Sequence, residues 1–307
     1  MQKNNIKGYL AAALSETLFG LSYLATKIAI NDVKMIYFLA WHFAIAGLCA
    51  IILSVCGVFK IHIFKKIKEH KKSGWGLLLL VLFQPLLYFT CEVNGINLTS
   101  SSESGVALAC IPIATIIMSA LILKKKPSKW EVLGITITLV GVIFCTIVAG
   151  STISLSVIGY IFLLGAVIIY SSYQILSEAL TTFTAEEKTW CLSLGGMIGF
   201  GLTALIYSAF HGETSYFLTL PFRDTTLLLA VLFKGIFTTT CAFLLANYAL
   251  GTIGSNKTST FVGVSTLVSI LAGVIVLHEI FTTMQIMGSI LIIIGTYVSN
   301  IHFKNKI

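Results

Sequence analysis

The stretch from residue 225 to residue 250 reads TTLLLAVLFKGIFTTTCAFLLANYAL, and its only charged residue is Lys234. An α-helix rises 1.5 Å per residue, so about 20 apolar residues cross the roughly 30 Å hydrocarbon core of a bilayer. The apolar run is continuous and does not alternate with polar residues, which disfavours a membrane β-strand. The stretch therefore predicts a transmembrane helix.

Comparable stretches fill the rest of the chain. Of its 307 residues, 57% are apolar and only 10% are charged, and the mean hydropathy is +0.95. These values exclude a water-soluble globule, so we expect an all-α membrane protein without a separate soluble domain. Charged or turn-rich interruptions divide the chain into ten predicted spans, near residues 8–30, 35–57, 75–96, 103–123, 130–149, 156–178, 188–210, 225–250, 258–277 and 283–303.

The basic residues indicate the orientation in the membrane. Nineteen of the 20 are lysines, and they cluster between apolar runs, a pattern of membrane topology and not of nucleic-acid binding. One face carries only Lys34 and Arg223, so the other face, with both termini, is predicted to be cytoplasmic in a multi-pass protein of the cell membrane. That face carries Lys3, Lys7, Lys60, Lys65, Lys66, Lys68, Lys71, Lys72, Lys124, Lys125, Lys126, Lys129, Lys188, Lys257, Lys304 and Lys306.

The two halves of the chain share a pattern of glycines. Gly134 and Gly141 in the fifth span match Gly288 and Gly295 in the tenth at the same offset. Because each half has an odd number of spans, the second half would enter the membrane upside down relative to the first. We therefore expect two inverted five-helix repeats, with a substrate site between them near the midplane. The predicted repeats are residues 1–150 and 151–307.

Several motifs resemble those of a known family. Residues 18–23 read LFGLSY, and residues 94–102 read NGINLTSSS and lead to Pro112 in the middle of the fourth predicted span. With the paired glycines, these stretches resemble the ten-helix EamA branch of the drug/metabolite transporter (DMT) superfamily. One departure is that Glu279 follows the ninth span, whereas its counterpart in the first half is replaced by residues 124–126, all lysine. The resemblance implies alternating-access transport of small metabolites, often export of amino acids or amphipathic compounds.

Charged residues inside the spans are candidates for function, because each costs about 2.5 to 3.5 kcal/mol to insert. In the first span, Glu16, Gly20, Tyr23 and Lys27 fall on one helical face, which should point inward. Lys27 is expected to extend to the outer headgroups, with an inward role as the alternative. Glu16 is expected to be buried and functional.

The third span repeats this design. Gln84, Tyr88 and Glu92 share one face, and Pro85 should loosen the helix beside Gln84. Glu92 is a candidate proton-coupling site, and a structural hydrogen bond to a neighbouring span is the alternative. Glu103, at the start of the fourth span, is expected to be a solvated first-turn acid.

Two faces of the second half form the predicted opposing wall. Lys234 and Thr238 lie on one face of the eighth span, and Tyr170, Gln174 and Ser177 lie on one face of the sixth. Lys234 is expected to be a counter-ion for an intramembrane glutamate, with direct contact to a substrate carboxylate as the alternative. The candidate substrate-binding residues are thus Glu16, Tyr23, Gln84, Tyr88, Glu92, Tyr170, Gln174, Lys234 and Thr238.

Other features are expected to be structural. His42, in the second span, is interpreted as a satisfied packing or interfacial residue, with a proton relay as the alternative. Pro112 is expected to mark a simple kink or the bend at the cavity. The seven cysteines are dispersed without a CxxC pair, so we expect neither disulfides nor a metal site.

These observations predict a secondary active transporter of a small organic metabolite, an amino acid or related amphipathic amine, coupled to protons or to a substrate gradient. A lipid-carrier flippase of the same superfamily is the first alternative. An intramembrane enzyme is the second, although we find no nucleophile–base motif and expect no catalytic residues and no cofactor. Expected partners are the small-molecule substrate, protons and membrane lipids but no nucleic acid, in a monomer or homodimer.

Overall fold

The computed structural model describes residues 2–29, 33–99, 107–147, 156–277 and 282–300. Within its helices, the side chains of residues 2–4, 23–24, 27–29, 96–97, 145–147 and 277 lie outside that description. All regular structure in the described ranges is helical, as predicted. The first half contains α1 (Gln2–Ala29), α2 (Met35–Val55), α3 (Ile63–Glu69), α4 (Lys71–Val81), α5 (Tyr88–Leu98), α6 (Ile111–Ile122) and α7 (Lys129–Ile147).

The second half has a similar order of elements, with one additional short helix among the described residues. It contains α8 (Val157–Ala179), α9 (Ala185–Phe210), α10 (Thr214–Arg223), α11 (Thr225–Phe233), α12 (Phe243–Ile253), α13 (Ser255–Ser259), α14 (Val262–Leu277) and α15 (Thr283–Ser299). Two π-helical segments interrupt long helices. The first π segment (Leu82–Leu87) joins α4 to α5, and the second π segment (Lys234–Ala242) joins α11 to α12.

Six of the described helical stretches are long and apolar enough to cross a membrane. They are Met35–Val55, Lys71–Gly95, Val157–Ala179, Ala185–Phe210, Thr225–Ile253 and Ser255–Val276. The shorter helices α6 and α15 are also apolar. The chain is therefore a multi-pass helical membrane protein, and the count of ten spans stays a prediction.

Helices of the two halves pack against each other in a reciprocal pattern. The first helix of the first half, α1, packs on α12 and α14 of the second, while the first helix of the second half, α8, packs on α5 and α6 of the first. The remaining large contacts pair α2 with α9 and α7 with α15. The contacts of α1 thus have a counterpart in those of α8, with the two halves exchanged. The contacts of α2 with α9 and of α7 with α15 each join equivalent helices of the two halves.

The paired glycines lie where α7 and α15 touch. A Cβ atom on Gly134 would stand 2.5 Å from the carbonyl oxygen of Gly295, and one on Gly141 would stand 2.7 Å from that of Gly288. Side chains larger than hydrogen would force the two backbones apart. The glycines therefore bring these helices together as small residues do in membrane bundles.

The first π segment confirms the expected loosening beside Pro85. Gln84 has φ −131° and ψ 116°, which are not helical values, and Pro85 provides no N–H for the helical ladder. The second π segment contains no proline. There the Thr240 hydroxyl donates to the carbonyl oxygen of Gly235, five residues earlier, at 2.9 Å. Both segments lie in the third long helix of their half, beside the interface between the halves.

The structure bears on two further expectations. Pro112 lies in the first turn of α6, directly after a turn at residues 109–110 that separates α6 from the helical residues 107–108, which agrees with the expected kink at Pro112. Lys188 is not a loop residue, because a capping box formed by Thr184 and Glu187 starts α9 at Ala185. Lys188 is therefore buried and donates to a carbonyl oxygen near the end of α8.

Candidate functional site

The central charged cluster consists of Tyr88, Glu92, Lys234 and Thr26. Glu92, on α5, is 8% exposed, and its Oε1 atom accepts a hydrogen bond of 2.6 Å from the Tyr88 hydroxyl, one turn earlier. The ring of Tyr88 packs on that of Tyr170 from α8 with centroids 4.9 Å apart. Three of the predicted site residues, from both halves of the chain, thus lie together.

Lys234 is the cation of this cluster. It is 8% exposed at the start of the second π segment, and its Nζ atom donates to the Thr26 hydroxyl of α1 at 2.8 Å. The ammonium lies 5.4 Å from the ring centroid of Phe38 on α2. Neither Lys234 nor Glu92 forms a direct ion pair within the described part of the chain. A continuous series of ring contacts through Phe38, His42, Phe89 and Tyr88 connects the two residues. Two oppositely charged side chains thus lie in one buried region, and each forms a hydrogen bond with a neutral hydroxyl group.

Several polar side chains near the π segments are buried without a hydrogen-bond partner among the described residues. They include both polar atoms of the Gln84 amide, both ring nitrogens of His42, and the hydroxyls of Thr238 and Thr239. An unpaired polar group that is buried costs about 1 to 3 kcal/mol. The expectation that His42 is satisfied is therefore wrong for hydrogen bonding, although its ring packs 5.8 Å from that of Phe89.

Gln174 lies in a separate polar network and forms a hydrogen bond with another side chain of the protein. Its Oε1 atom accepts from the Thr115 hydroxyl of α6 at 2.9 Å. One turn further along α8, the Ser177 hydroxyl donates to Asn247 of α12 at 2.7 Å, and Tyr173 donates to the same amide oxygen at 3.1 Å. This network ties α8 to α6 and α12.

Glu16 lies apart from the central charged cluster. It is 4% exposed on α1, and its carboxylate lies against the hydroxyl of Ser265 on α14. One turn along, a Cβ atom on Gly20 would stand 2.6 Å from the Ser265 carbonyl oxygen, so the two helices touch there. Glu92, and not Glu16, is therefore the acid near Lys234. The side chains of Tyr23 and Lys27, and all of Glu103, lie outside the described residues.

Ion pairs join the connections at the two ends of the bundle. At the lysine-rich end, Glu178 of α8 pairs with Lys125, and its other carboxylate oxygen accepts from the Ser255 backbone N–H at 2.8 Å. Also at this end, Lys66 pairs with the buried Glu187 at 2.6 Å. Both contacts connect the first half of the chain to the second.

At the opposite end, Lys34 and Glu213 form an exposed ion pair of 2.6 Å, and Tyr37 donates to the same carboxylate at 2.7 Å. The hydrogen bond from Lys34, followed by that from Tyr37, holds the pKa of Glu213 below its ordinary value. The hydrogen bond to Glu213 raises the pKa of Lys34. These three residues form the outer clasp.

Sequence reasoning missed several of these residues. Thr26 was hidden because a hydroxyl within a span is common, and Asn247 was visible as the single amide side chain of the stretch 225–250. His42 is visible in the sequence as a histidine within a predicted span, but the sequence does not distinguish a packing histidine from one with a role in function. No group of three or more histidine, cysteine, aspartate or glutamate side chains that could bind a metal occurs among the described residues.

The fold and the buried charges together define a polytopic membrane protein with an ionisable interior of the kind that transporters contain. The EamA-like transporter family matches the chain twice, over residues 6–147 and 157–301. The chain therefore belongs to this family, whose domain is repeated in it, and it is a membrane transporter and not an enzyme.

Relatives extend over nearly the whole chain. An uncharacterized transporter, YcxC of Bacillus subtilis (strain 168), is 32% identical over 302 residues, which cover 97% of this chain and 94% of the relative. An uncharacterized transporter of Archaeoglobus fulgidus is 26% identical over 95% of this chain and 98% of its own length. A crystal structure of a protein with 19% identity superposes with a TM-score of 0.72 over 97% of this chain and 98% of that one, which shows a shared fold.

Proposed function

We propose that this transporter is a secondary active transporter of a small organic metabolite, an amino acid or a related amphipathic amine. The observation that carries the proposal is the pair of opposite charges, Glu92 and Lys234, buried between the halves without touching each other. A substrate with polar groups at both ends can bind between such charges, whereas a purely structural pair would close into direct contact. The cluster contributes residues from both halves, as a shared transport site requires.

Alternating access is the proposed mechanism. The reciprocal packing of α1 and α8 supports two inverted repeats, which can rock about a site between them. The ion pairs at the two ends connect the halves, so each end must release its contacts for the site to open there. Lys125 and Glu178 are the proposed contacts that part at the lysine-rich end, and the outer clasp parts at the other. We propose that the lysine-rich end faces the cytoplasm and, from the family resemblance, that transport is export across the cell membrane.

Glu92 and Glu16 are the proposed proton sites. Each carboxylate is buried within the bilayer region and has a single hydroxyl neighbour, from Tyr88 or from Ser265. Binding and release of a proton at Glu92 would change the charge balance around Lys234 and so couple a proton gradient to substrate binding.

A lipid-carrier flippase is the second candidate, and one observation favours it. A cavity of about 500 Å³ lies between α1, α9 and α12, with apolar walls that include Leu10, Leu14 and Leu244. Lys7 and Glu186 supply charges at the same cavity. An amphipathic lipid could place its headgroup near these charges and its chains along the leucines.

Reconstitution in liposomes tests both candidates. Counterflow and proton movement are measured together for a panel of amino acids, amines and nucleosides, and inward movement of fluorescent phospholipids is measured in the same vesicles. We expect counterflow of at least one metabolite, and we expect Glu92→Gln to remove proton-driven accumulation while Glu69→Gln, on the exposed helix α3, does not. Lipid movement without metabolite counterflow would replace the first proposal by the second, and unchanged accumulation in both Glu92→Gln and Glu16→Gln would contradict the proton sites.

A further inference from the structure

Polar side chains without partners gather where α2 crosses the second π segment. His42 is fully buried, and neither of its ring nitrogens has a hydrogen-bond partner in the described part of the chain. The hydroxyls of Thr238 and Thr239, 3% and 1% exposed, are also without partners there. These groups come from two halves of the chain, so no single helix explains their concentration.

Gly235 allows the two elements to approach this closely. A Cβ atom at Gly235 would stand 2.9 Å from the carbonyl oxygen of His42 and 2.6 Å from a side-chain carbon of Ile45. In a π turn the hydrogen bonds run from residue i to i+5, so Thr238 and Thr239 return to the face of the helix that carries Lys234. The backbone of α2 at His42 therefore lies against the π segment that carries Lys234 and both threonines.

The ring of Phe38 lies next to both His42 and Lys234. Its centroid is 5.9 Å from that of the imidazole and 5.4 Å from the ammonium nitrogen. The ammonium has three donors, and the structure gives it one hydrogen bond, to Thr26. Donors thus remain on Lys234, on one nitrogen of His42 and on Thr238 in a region walled by aromatic rings.

We propose that His42, Lys234 and Thr238 form the subsite that binds a carboxylate group of the transported substrate. The proposal rests on the proposed function and narrows its substrate class to compounds that carry a carboxylate. An ammonium, an imidazole N–H and a hydroxyl can together saturate the lone pairs of one carboxylate. In this closed state the apolar surroundings exclude water, which strengthens these hydrogen bonds and makes a compound that lacks a carboxylate a poor substitute.

A binding role and a packing role for His42 predict opposite effects on stability. A histidine retained for packing contributes to the fold, so its replacement should lower the unfolding temperature. A histidine retained for binding leaves unpaired nitrogens in the protein without substrate, so His42→Phe should raise the unfolding temperature while it weakens binding. The ring neighbours Phe43 and Phe89 already provide an aromatic environment for the new side chain.

The test measures thermal unfolding of the purified full-length protein in nanodiscs, with and without compounds from matched sets. Each set holds an amino acid, the amine that lacks its carboxylate, and the carboxylic acid that lacks its amine. We expect amino acids and acids, but not amines, to stabilise the wild type. His42→Gln, His42→Phe and Lys234→Gln should each weaken the apparent affinity for the carboxylates at least tenfold, while His70→Gln, at an exposed position, should leave it unchanged.

Four results would overturn the proposal. Amines that bind as tightly as the matching amino acids would refute the carboxylate subsite and leave the transporter proposal standing. An unchanged carboxylate affinity in both His42 variants, or a lower unfolding temperature in substrate-free His42→Phe, would return His42 to a packing role. A complete absence of binding across all sets, together with the absence of counterflow in liposomes, would reject the proposed metabolite transporter as well.

Discussion

The electrostatic coupling between Glu92 and Lys234 can be measured with a double-mutant cycle. Glu92→Gln and Lys234→Gln are made singly and together, and the free energy of unfolding in mixed micelles is determined for each. Both side chains are only 8% exposed, so solvent screens the charges little. Two charges 4 Å apart attract by about 4 kcal/mol at an effective dielectric constant of about 20. Because these two groups do not form a direct ion pair, this value is a ceiling.

Each single substitution leaves the other charge buried without its opposite, whereas the double substitution removes both. We therefore expect a coupling energy of about 1 to 3 kcal/mol between the two sites. The matched control cycle joins Glu16→Gln to Lys234→Gln, and it should be additive within about 0.5 kcal/mol because Glu16 lies against α14. Additivity in the first cycle, or equal coupling in both, would refute the assignment of Glu92 as the acid that acts on Lys234.

Two further predictions concern the framework around the site. Gly141→Ala should lower the free energy of unfolding by about 1 to 3 kcal/mol, because the new methyl group meets the backbone of α15. The control variant Gly201→Ala should have no such cost, because the space around Gly201 is open. Chemical unfolding of both variants measures the difference. In the outer clasp, the lowered pKa of Glu213 and the raised pKa of Lys34 mean that their pairing stabilises the fold between those two pKa values. This stabilisation is lost as the pH falls through the pKa of Glu213. The difference in unfolding temperature between the wild type and Glu213→Gln should therefore vanish in acid. A difference that is independent of pH would contradict the pairing.

The class of fold follows from the sequence because membrane insertion depends on local composition. Continuous apolar runs such as residues 225–250 specify helices wherever they are placed, and the lipid leaves the backbone no other way to satisfy its polar groups. Pro85 disrupts the helical ladder by its own geometry, so the loosened turn beside Gln84 was also predictable. The proximity of Tyr88, Glu92 and Tyr170 followed from helical periodicity together with the expected repeat.

Other features depend on contacts between segments that are distant in sequence. The second π segment has no proline, and the crossing of α2 at Gly235 has no counterpart in the local pattern around it. The choice of Glu92 over Glu16 as the neighbour of Lys234 depends on how α1, α5 and the π segment pack. Lys188 is a further example, because the group that accepts a hydrogen bond from its buried ammonium is the Ser177 carbonyl of another helix.

Substrate protection of a single cysteine at Thr238 is the most direct test that the transport site lies at the central charged cluster. Thr238→Cys is introduced into a variant without the native cysteines, and its reaction with a water-soluble maleimide is followed in liposomes with and without the compound identified by counterflow. We predict that the cysteine reacts when the two halves rock apart and open the site to water, and that saturating substrate slows the reaction at least tenfold. A cysteine introduced at exposed Glu69 should react equally in both conditions. A variant that still transports but whose cysteine at position 238 reacts at the same rate with and without substrate would contradict the location of the site.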